Sequence, residues 1–326
     1  MNTQDETHLP PSEAKLPPSK KQPRKKRRQR TGSFGRFLRR TLLLLLTLLL
    51  LTAAGTGLLL DTLLNGPSPA VRDLVTATLW EYSATAQIPE LFLEPDVLEQ
   101  IRSQAGTAPA DTVSDPGMIL LTDHAEAWLD CPDGIRLTEH TTDTFRSQVL
   151  LIRDPDSLHL VTNTDSAGVL TQKRVLAAVS VTSPDPESGF AGFTEEGILI
   201  VSTSPTEGQN FPGIRAGRSC GPVLIMNGTV NQAVYGANSG IVPRSALGQR
   251  ADGTVILVYL SGGTFRNLTD ILVEYGAVNG CSLSSGSDSS LRFLDSEGLA
   301  HTFPETEQKH PAFTGDFWLV RPSGEG

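Results

Sequence analysis

Pro243-Arg244-Ser245-Ala246-Leu247-Gly248-Gln249-Arg250-Ala251-Asp252-Gly253-Thr254-Val255-Ile256-Leu257-Val258-Tyr259-Leu260 is the stretch from which the fold is read. Asp252-Gly253 suits a tight hairpin turn, whose central positions call for residues that tolerate positive φ. Short runs flank it, Ala246–Gln249 and Thr254–Leu260, the second rich in β-branched residues. Two antiparallel strands are predicted.

The same texture continues outward. Short β-branched runs separated by Gly, Pro, Asp and Ser recur at Gly134–Thr138, Ser147–Ile152, Leu158–Thr162, Val175–Val181, Ile198–Val201, Val223–Met226, Ala277–Leu283, Leu291–Leu294 and Phe317–Val320. One helix interrupts them, where Leu268, Ile271, Leu272 and Tyr275 keep helical spacing and Gly276 stands at the C-cap. No internal repeat is present. The expectation is an α+β domain dominated by strands, over residues 118–322.

Upstream, residues 106–117 read as a turn-rich linker and residues 61–105 as a membrane-proximal helical segment packed on the domain. Ser68-Pro69 opens its first helix as a cap followed by proline. Val71, Leu74, Val75, Thr78, Leu79 and Tyr82 share the predicted inner face, and Pro89 is the predicted stop. A second short helix is predicted over Pro95–Gln104, with Val97, Leu98 and Ile101 inward.

Residues 1–40 hold twelve Lys/Arg against three acids, and Thr41–Leu60 holds no charge for 20 residues. At ~1.5 Å per residue such a helix covers about 30 Å, the thickness of bilayer hydrocarbon. The alternative is a cleaved signal peptide ending near Ala53–Gly57. The apolar run is longer than the ~7–15 residues of a signal core, and Leu58–Leu60 resume beyond the small residues, which favours an anchor. The basic flank then stays cytosolic and the C-terminal domain crosses the cell membrane. The tail, with Pro10-Pro11, Pro17-Pro18 and the Arg24–Arg30 block, reads as a disordered segment attracted to anionic lipid.

The chain has 27 basic and 36 acidic residues; without the tail, 15 and 33 remain, a net charge of −18. That balance argues against nucleic-acid binding. Cys131, Cys220 and Cys281 are odd in number, and spacing chooses no pair among them. His8, His124, His140, His159, His301 and His310 never fall at metal-ligand spacing, and neither a Walker loop nor G-x-S-x-G nor G-x-G-x-x-G occurs. No metal or cofactor is expected. Asn227-Gly228-Thr229 and Asn267-Leu268-Thr269 have the form of glycosylation acceptors.

Three blocks take the reading further: Ser219-Cys220-Gly221-Pro222-Val223-Leu224-Ile225-Met226-Asn227-Gly228, then Pro243 to Gly253, then Glu274-Tyr275-Gly276-Ala277-Val278-Asn279. Their order and spacing closely resemble bacterial members of the phosphodiester glycosidase family, often labelled exopolysaccharide-biosynthesis proteins. These are relatives of the lysosomal enzyme that removes N-acetylglucosamine from mannose-6-phosphate diesters. The resemblance extends over about residues 65–322. It implies cleavage between a sugar anomeric carbon and a phosphodiester.

A phosphodiester is already a good leaving group, so the chemistry asks for a cation near the phosphate and a carboxylate near the developing oxocarbenium ion. The family supplies an arginine in a P-R-[ST]-A-[IL]-G block, which Arg244 matches; a permanently charged fork suits phosphate. The resemblance further implies substrate contacts around Asn227, Gly221, Gly286 and Ser180. Where the family carries the acidic loop N-L-D-G-G-[GS]-S-S, this chain reads Ser282-Leu283-Ser284-Ser285-Gly286-Ser287-Asp288-Ser289-Ser290. Ser284 thus stands in the aspartate position, with Gly286 close by and Asp288 as the neighbouring acid that could replace it. Ser180 occupies the place of an asparagine that precedes a glycine-aromatic turn in the family. Two of the three polar blocks have therefore lost their functional side chains. The expected function is a membrane-anchored, extracytoplasmic hydrolase of sugar-1-phosphodiester bonds in cell-envelope glycans. The alternatives are a degenerate relative that binds acidic or phosphorylated glycan, and a scaffold for envelope or exopolysaccharide proteins.

Overall fold

The computed structural model describes residues 32–80, 82, 84–103, 108–122, 128–131, 133–141, 145–165, 168–169, 175–182, 188–237, 239–295, 297–303 and 314–322. The tail before residue 32 lies outside them. The chain divides into two units, Met1–Gly57 and Leu58–Gly326. Helix α1 spans Gly32–Leu64, and Leu38–Leu64 is long and apolar enough to cross a membrane, with a mean hydropathy of 2.4. It is longer at both ends than the span expected from residues 41–60. Its leucines from Leu42 to Leu51 are 49–71% exposed, an all-round apolar surface suited to hydrocarbon. Thr47 and Thr52 return their hydroxyls to the carbonyls of Leu43 and Leu49, so neither needs an outside partner.

In the second unit, α2 (Pro69–Trp80) begins at the expected cap and ends well before Pro89. Beyond its end the Thr85 hydroxyl donates to the carbonyls of Leu79 and Tyr82. The inner face also differs from the expected one. Asp73, Thr76 and Ala77 are buried, whereas Val71 and Leu74 are exposed. Helix α3 (Pro95–Ser103) packs Leu98 and Ile101 with Leu64 and Leu93, as its spacing predicts.

The strands are β1 (Ile135–Thr141), β2 (Arg146–Ile152), β3 (Leu158–Asp165), β4 (Ala177–Val181), β5 (Phe190–Thr194), β6 (Leu199–Ser202), β7 (Ile214–Ser219), β8 (Val223–Met226), β9 (Thr229–Val230), β10 (Val242–Arg250), β11 (Val255–Gly263), β12 (Ala277–Ser285), β13 (Leu291–Leu294), β14 (Ala300–Phe303) and β15 (Thr314–Val320). Short helices α4 (Pro205–Gln209) and α5 (Gln232–Tyr235) interrupt them, and α6 (Phe265–Glu274) follows the spacing read at Leu268–Tyr275. Antiparallel pairing builds three sheets, ordered β1-β2-β11-β10-β12-β8-β9, β14-β13-β4-β15-β3 and β6-β5-β7. The domain is α+β and strand-rich.

The seven-stranded sheet has apolar residues on both faces. Leu247, Leu257 and Cys281 point to a core shared with Val179 and Trp318 of the five-stranded sheet and Phe193 and Leu199 of the three-stranded one. Ala246, Ile256 and Val258 point the other way, against Leu268 and Leu272 of α6. Strands buried on both faces need apolar residues at successive positions, which is why Val255–Leu260 is unbroken.

Every strand predicted from the β-branched runs is present, and β5, β7, β9 and β14 lie outside those runs. Gly192 in β5 and Gly217 in β7 look like turn residues; in the fold their bare Cα atoms make room for the Phe190 ring, which an added Cβ would meet at 2.8 and 2.3 Å. Of the expected linker, Thr112–Ser114 is tied to the edge of β6. Ser114 N donates to Val201 O at 2.9 Å, and Thr203 N to Thr112 O at 2.9 Å.

Two buried amides join the large sheet to β6. Gln249 accepts from Leu199 N (2.6 Å) and donates to the carbonyls of Gly197 and Gly253 (2.9 Å each). Asn279 donates to Leu199 O at 3.1 Å and accepts from Asn227 N at 3.0 Å. Gln249→Leu keeps the volume and strands one donor and two acceptors in the core. It is expected to lower stability by about 2–4 kcal/mol, read as a fall in the urea midpoint at unchanged m-value. A loss below about 0.5 kcal/mol, the size of an ordinary surface substitution, would show that the join is not structural.

Candidate active site

Of the residues singled out by the family pattern, Arg244, Ser284 and Ser180 lie at one end of the β10–β12 ladder, Arg244 on one face and the serines on the other. Register fixes this: Arg244 pairs with Ser285 and Ser245 with Ser284, whereas Ala246 pairs with Ser282. Between the last two pairs β12 holds one extra residue, Leu283, a β-bulge. Side chains otherwise alternate faces along a strand. Leu283 points to the core shared with the smaller sheets; regular alternation would send Ser284 toward α6. The bulge keeps Ser284 on the same face as Ser245.

There Ser284 Oγ is hydrogen-bonded to Ser245 Oγ, and to Ser180 Oγ of β4 at 3.2 Å. Ser180 Oγ also donates to the carbonyl of Asp288 (2.7 Å) and accepts from Ser290 N (2.8 Å). Ser180, Ser245 and Ser284 are at most 1% exposed. Hydroxyls both donate and accept, so three of them can satisfy one another where water is excluded. This cluster joins the seven-stranded to the five-stranded sheet, supported by Thr182 N donating to Leu283 O at 3.0 Å.

Arg244 lies on the opposite face and is 0% exposed. Its Nε donates to Gly263 O (2.9 Å), Nη1 to Ser285 Oγ (2.7 Å) and Nη2 to Gly240 O (2.9 Å). The guanidinium carbon sits 3.8 Å from the centre of the Phe265 ring, at the start of α6. α6 is fixed at that end by a capping box in which Thr264 and Asn267 exchange hydrogen bonds. Asn267, read as a possible glycosylation acceptor, is therefore a capping residue. The Gly240–Ile241 segment that supplies a carbonyl to Arg244 is itself held by α2, where Thr78 Oγ1 accepts from Ile241 N at 3.2 Å.

Other expected site residues fall in different places. Asp288 contributes its backbone carbonyl to the serine cluster, but its side chain is exposed and accepts from Ser287 Oγ at 3.1 Å. Gly286 turns the chain directly after β12 with φ of 75°. Gly221 lies against β12, where a Cβ would come 2.9 Å from Ser282 O. Asn227 is at the far end of β12, about 20 Å away by strand rise from Asn279 to Ser285. It heads the turn into β9 with φ of 52° and pins the segment before residue 116, accepting from Asp115 N at 2.8 Å. Ser245, Gly240, Gly263 and Phe265 were missed by sequence reasoning. Only Ser245 left a signal, standing beside Arg244 in the quoted block.

Tyr259, cross-strand from Ser245, is 2% exposed. Burial, with Tyr82 adding to it, pushes its phenol pKa up, so the ring stays neutral. Among the described residues, no three His, Cys, Asp or Glu side chains gather as a metal site would require.

The sequence profile of the phosphodiester glycosidase family matches residues 154–318, half of the chain. The chain belongs to that family. The match lies within the 65–322 stretch of the resemblance and includes β10, β12 and the serine cluster. Among solved structures the chain is similar to the catalytic domain of zebrafish N-acetylglucosamine-1-phosphodiester alpha-N-acetylglucosaminidase auto-inhibited by its pro-peptide. That alignment has 14% identity, covers 67% of this chain and 87% of that one, and has a TM-score of 0.43. It is also similar to a protein from Synechocystis described as hypothetical, at 13% identity over 57% of this chain and 62% of that one, TM-score 0.42. No curated protein matches the chain.

Within this phosphodiester glycosidase domain, Ser180→Ala and Ser284→Ala each remove a buried hydroxyl and orphan others. Each is expected to cost about 1–2 kcal/mol, and the double variant less than the sum by about 0.5–1 kcal/mol. Strict additivity in a double-mutant cycle would mean that the two hydroxyls do not interact.

Proposed function

We propose that this protein is a membrane-anchored, extracytoplasmic member of the phosphodiester glycosidase family that has lost hydrolysis and serves the cell envelope as a scaffold. The observation that carries this reading is the closure of the polar centre. Arg244 is wholly buried, its fork engaged by Gly263, Ser285 and Gly240 and its face by Phe265. Ser284, in the position of the family's aspartate, is spent on Ser180 and Ser245. A serine hydroxyl cannot carry the negative charge that an oxocarbenium-like state requires. A site without solvent access offers a sugar phosphate no path to the arginine.

The net charge of −18 after the tail also weighs against the acidic-glycan binding alternative, since like charges repel. Anchoring rests on α1 and orientation on the twelve basic residues before residue 41. A second reading, hydrolysis of sugar-1-phosphodiesters in envelope glycans, is favoured by family membership and by the retention of Arg244 itself.

One assay separates the two. Detergent-solubilised full-length protein is incubated with sugar-1-phosphodiesters and released sugar is measured against a buffer control. No release above the control is expected from the native chain. Release that scales with protein and is lost in a folded Arg244→Gln variant would overturn the scaffold reading and establish the hydrolase.

A further inference from the structure

Three cysteines were left unassigned by their spacing, and the fold separates them. Cys131 packs against the α6 side of the seven-stranded sheet. Cys220 and Cys281 belong to the core on the other face, and each is 0% exposed. Cys220 leads into β8 and Cys281 lies in β12, two strands that pair antiparallel with Cys281 opposite Val223. The backbones are close between them. Ser282 N donates to Pro222 O at 3.0 Å, and a Cβ on Gly221 would come within 3.0 Å of Ser282 Cβ. Cys220 Sγ donates to Gly221 O at 3.2 Å, and both cysteine side chains enter the same apolar core. Both are thiols in this structure.

We propose that Cys220 and Cys281 are joined by a disulfide in the exported protein, made while the chain folds. The inference rests on the extracytoplasmic reading above, because exported compartments sustain such bonds and the cytosol does not. The oxidant is a disulfide of the thiol-exchange class, either a disulfide-donating protein or oxidised glutathione. The thiolate of one cysteine attacks the oxidant's disulfide and gives a mixed disulfide. The second thiolate then displaces the oxidant's sulfur, and two electrons and two protons leave with the reduced oxidant.

Timing follows from burial. The apolar core, and then the neighbouring thiol, push the Cys220 thiol pKa up, so the folded state holds little attacking thiolate and admits no oxidant. Oxidation therefore precedes closure of the core. The bridge closes a loop of roughly 60 residues, a length at which cross-linking restricts the unfolded chain substantially. It also ties the Ser219–Gly228 block to the strand that carries Ser284 and Ser285.

The test uses the full-length chain in membranes. Thiols are blocked with N-ethylmaleimide in denaturant, and the protein is digested without reductant and mapped by mass spectrometry. A linked Cys220–Cys281 peptide and an alkylated Cys131 are expected. Reductant should lower the melting temperature by roughly 10 °C for a loop and domain of this size. The proposal is overturned if both thiols are alkylated while protease added to intact cells digests the C-terminal domain. If that domain is instead protected, the extracytoplasmic reading fails separately. The chain is then refolded from denaturant in a glutathione redox buffer. A 220–281 link there supports the pairing, and persistent thiols or links through Cys131 overturn it.

Discussion

Strand β10 has to satisfy two cores at once. Ser245, Leu247 and Gln249 face the smaller sheets, while Arg244, Ala246 and Gly248 face α6. The strand pairs on both edges, with β11 and β12, so it has no solvent-facing side on which a polar group could be accommodated cheaply. Each polar residue it carries must find partners inside the protein, because an unpaired buried donor or acceptor costs more than a made hydrogen bond returns. Arg244, Ser245 and Gln249 each solve this differently, by carbonyls and a ring, by hydroxyls, and by three backbone groups of neighbouring segments. Ser245 and Gln249 thereby tie the large sheet to the five-stranded and three-stranded ones, within the apolar core that all three share.

That constraint explains what the centre has become. An ionised carboxylate at position 284 would sit among Ser180 and Ser245 with no water, where its desolvation would have to be offset by a bound cation or by a more open cleft. Serine carries no charge and can satisfy its hydroxyl locally. The polar centre thereby works as a cross-link between sheets.

Much of the fold was readable because the signals were local. The Asp252-Gly253 turn, the β-branched runs and the spacing of Leu268, Ile271 and Leu272 each depend on residues near in sequence. Strands β5 and β7 were not, since their glycines answer to the Phe190 ring, a long-range fact. The inner face of α2 was misjudged for a related reason: Asp73, Thr76 and Ala77 are buried by what packs on them, against the apolar spacing of the helix itself. At the site, Arg244 and Ser284 were found through the resemblance. Their burial, and the placing of Asn227 at the other end of β12, depend on packing and register that no motif encodes.

The single extra residue at Leu283 carries a consequence for inheritance of the site. Because the bulge inverts the alternation of β12 beyond it, the polar stretch that follows is out of phase with the strand that precedes it. Substitutions within Ser284–Ser290 can accumulate without disturbing the ladder from Ala277 to Ser282, whereas gain or loss of one residue at position 283 would exchange which core each later side chain enters. The centre can thus change in composition only where each buried group still finds a partner, while its length is held by the register. A lineage could trade a carboxylate for hydroxyls here, residue for residue, and keep every strand in place.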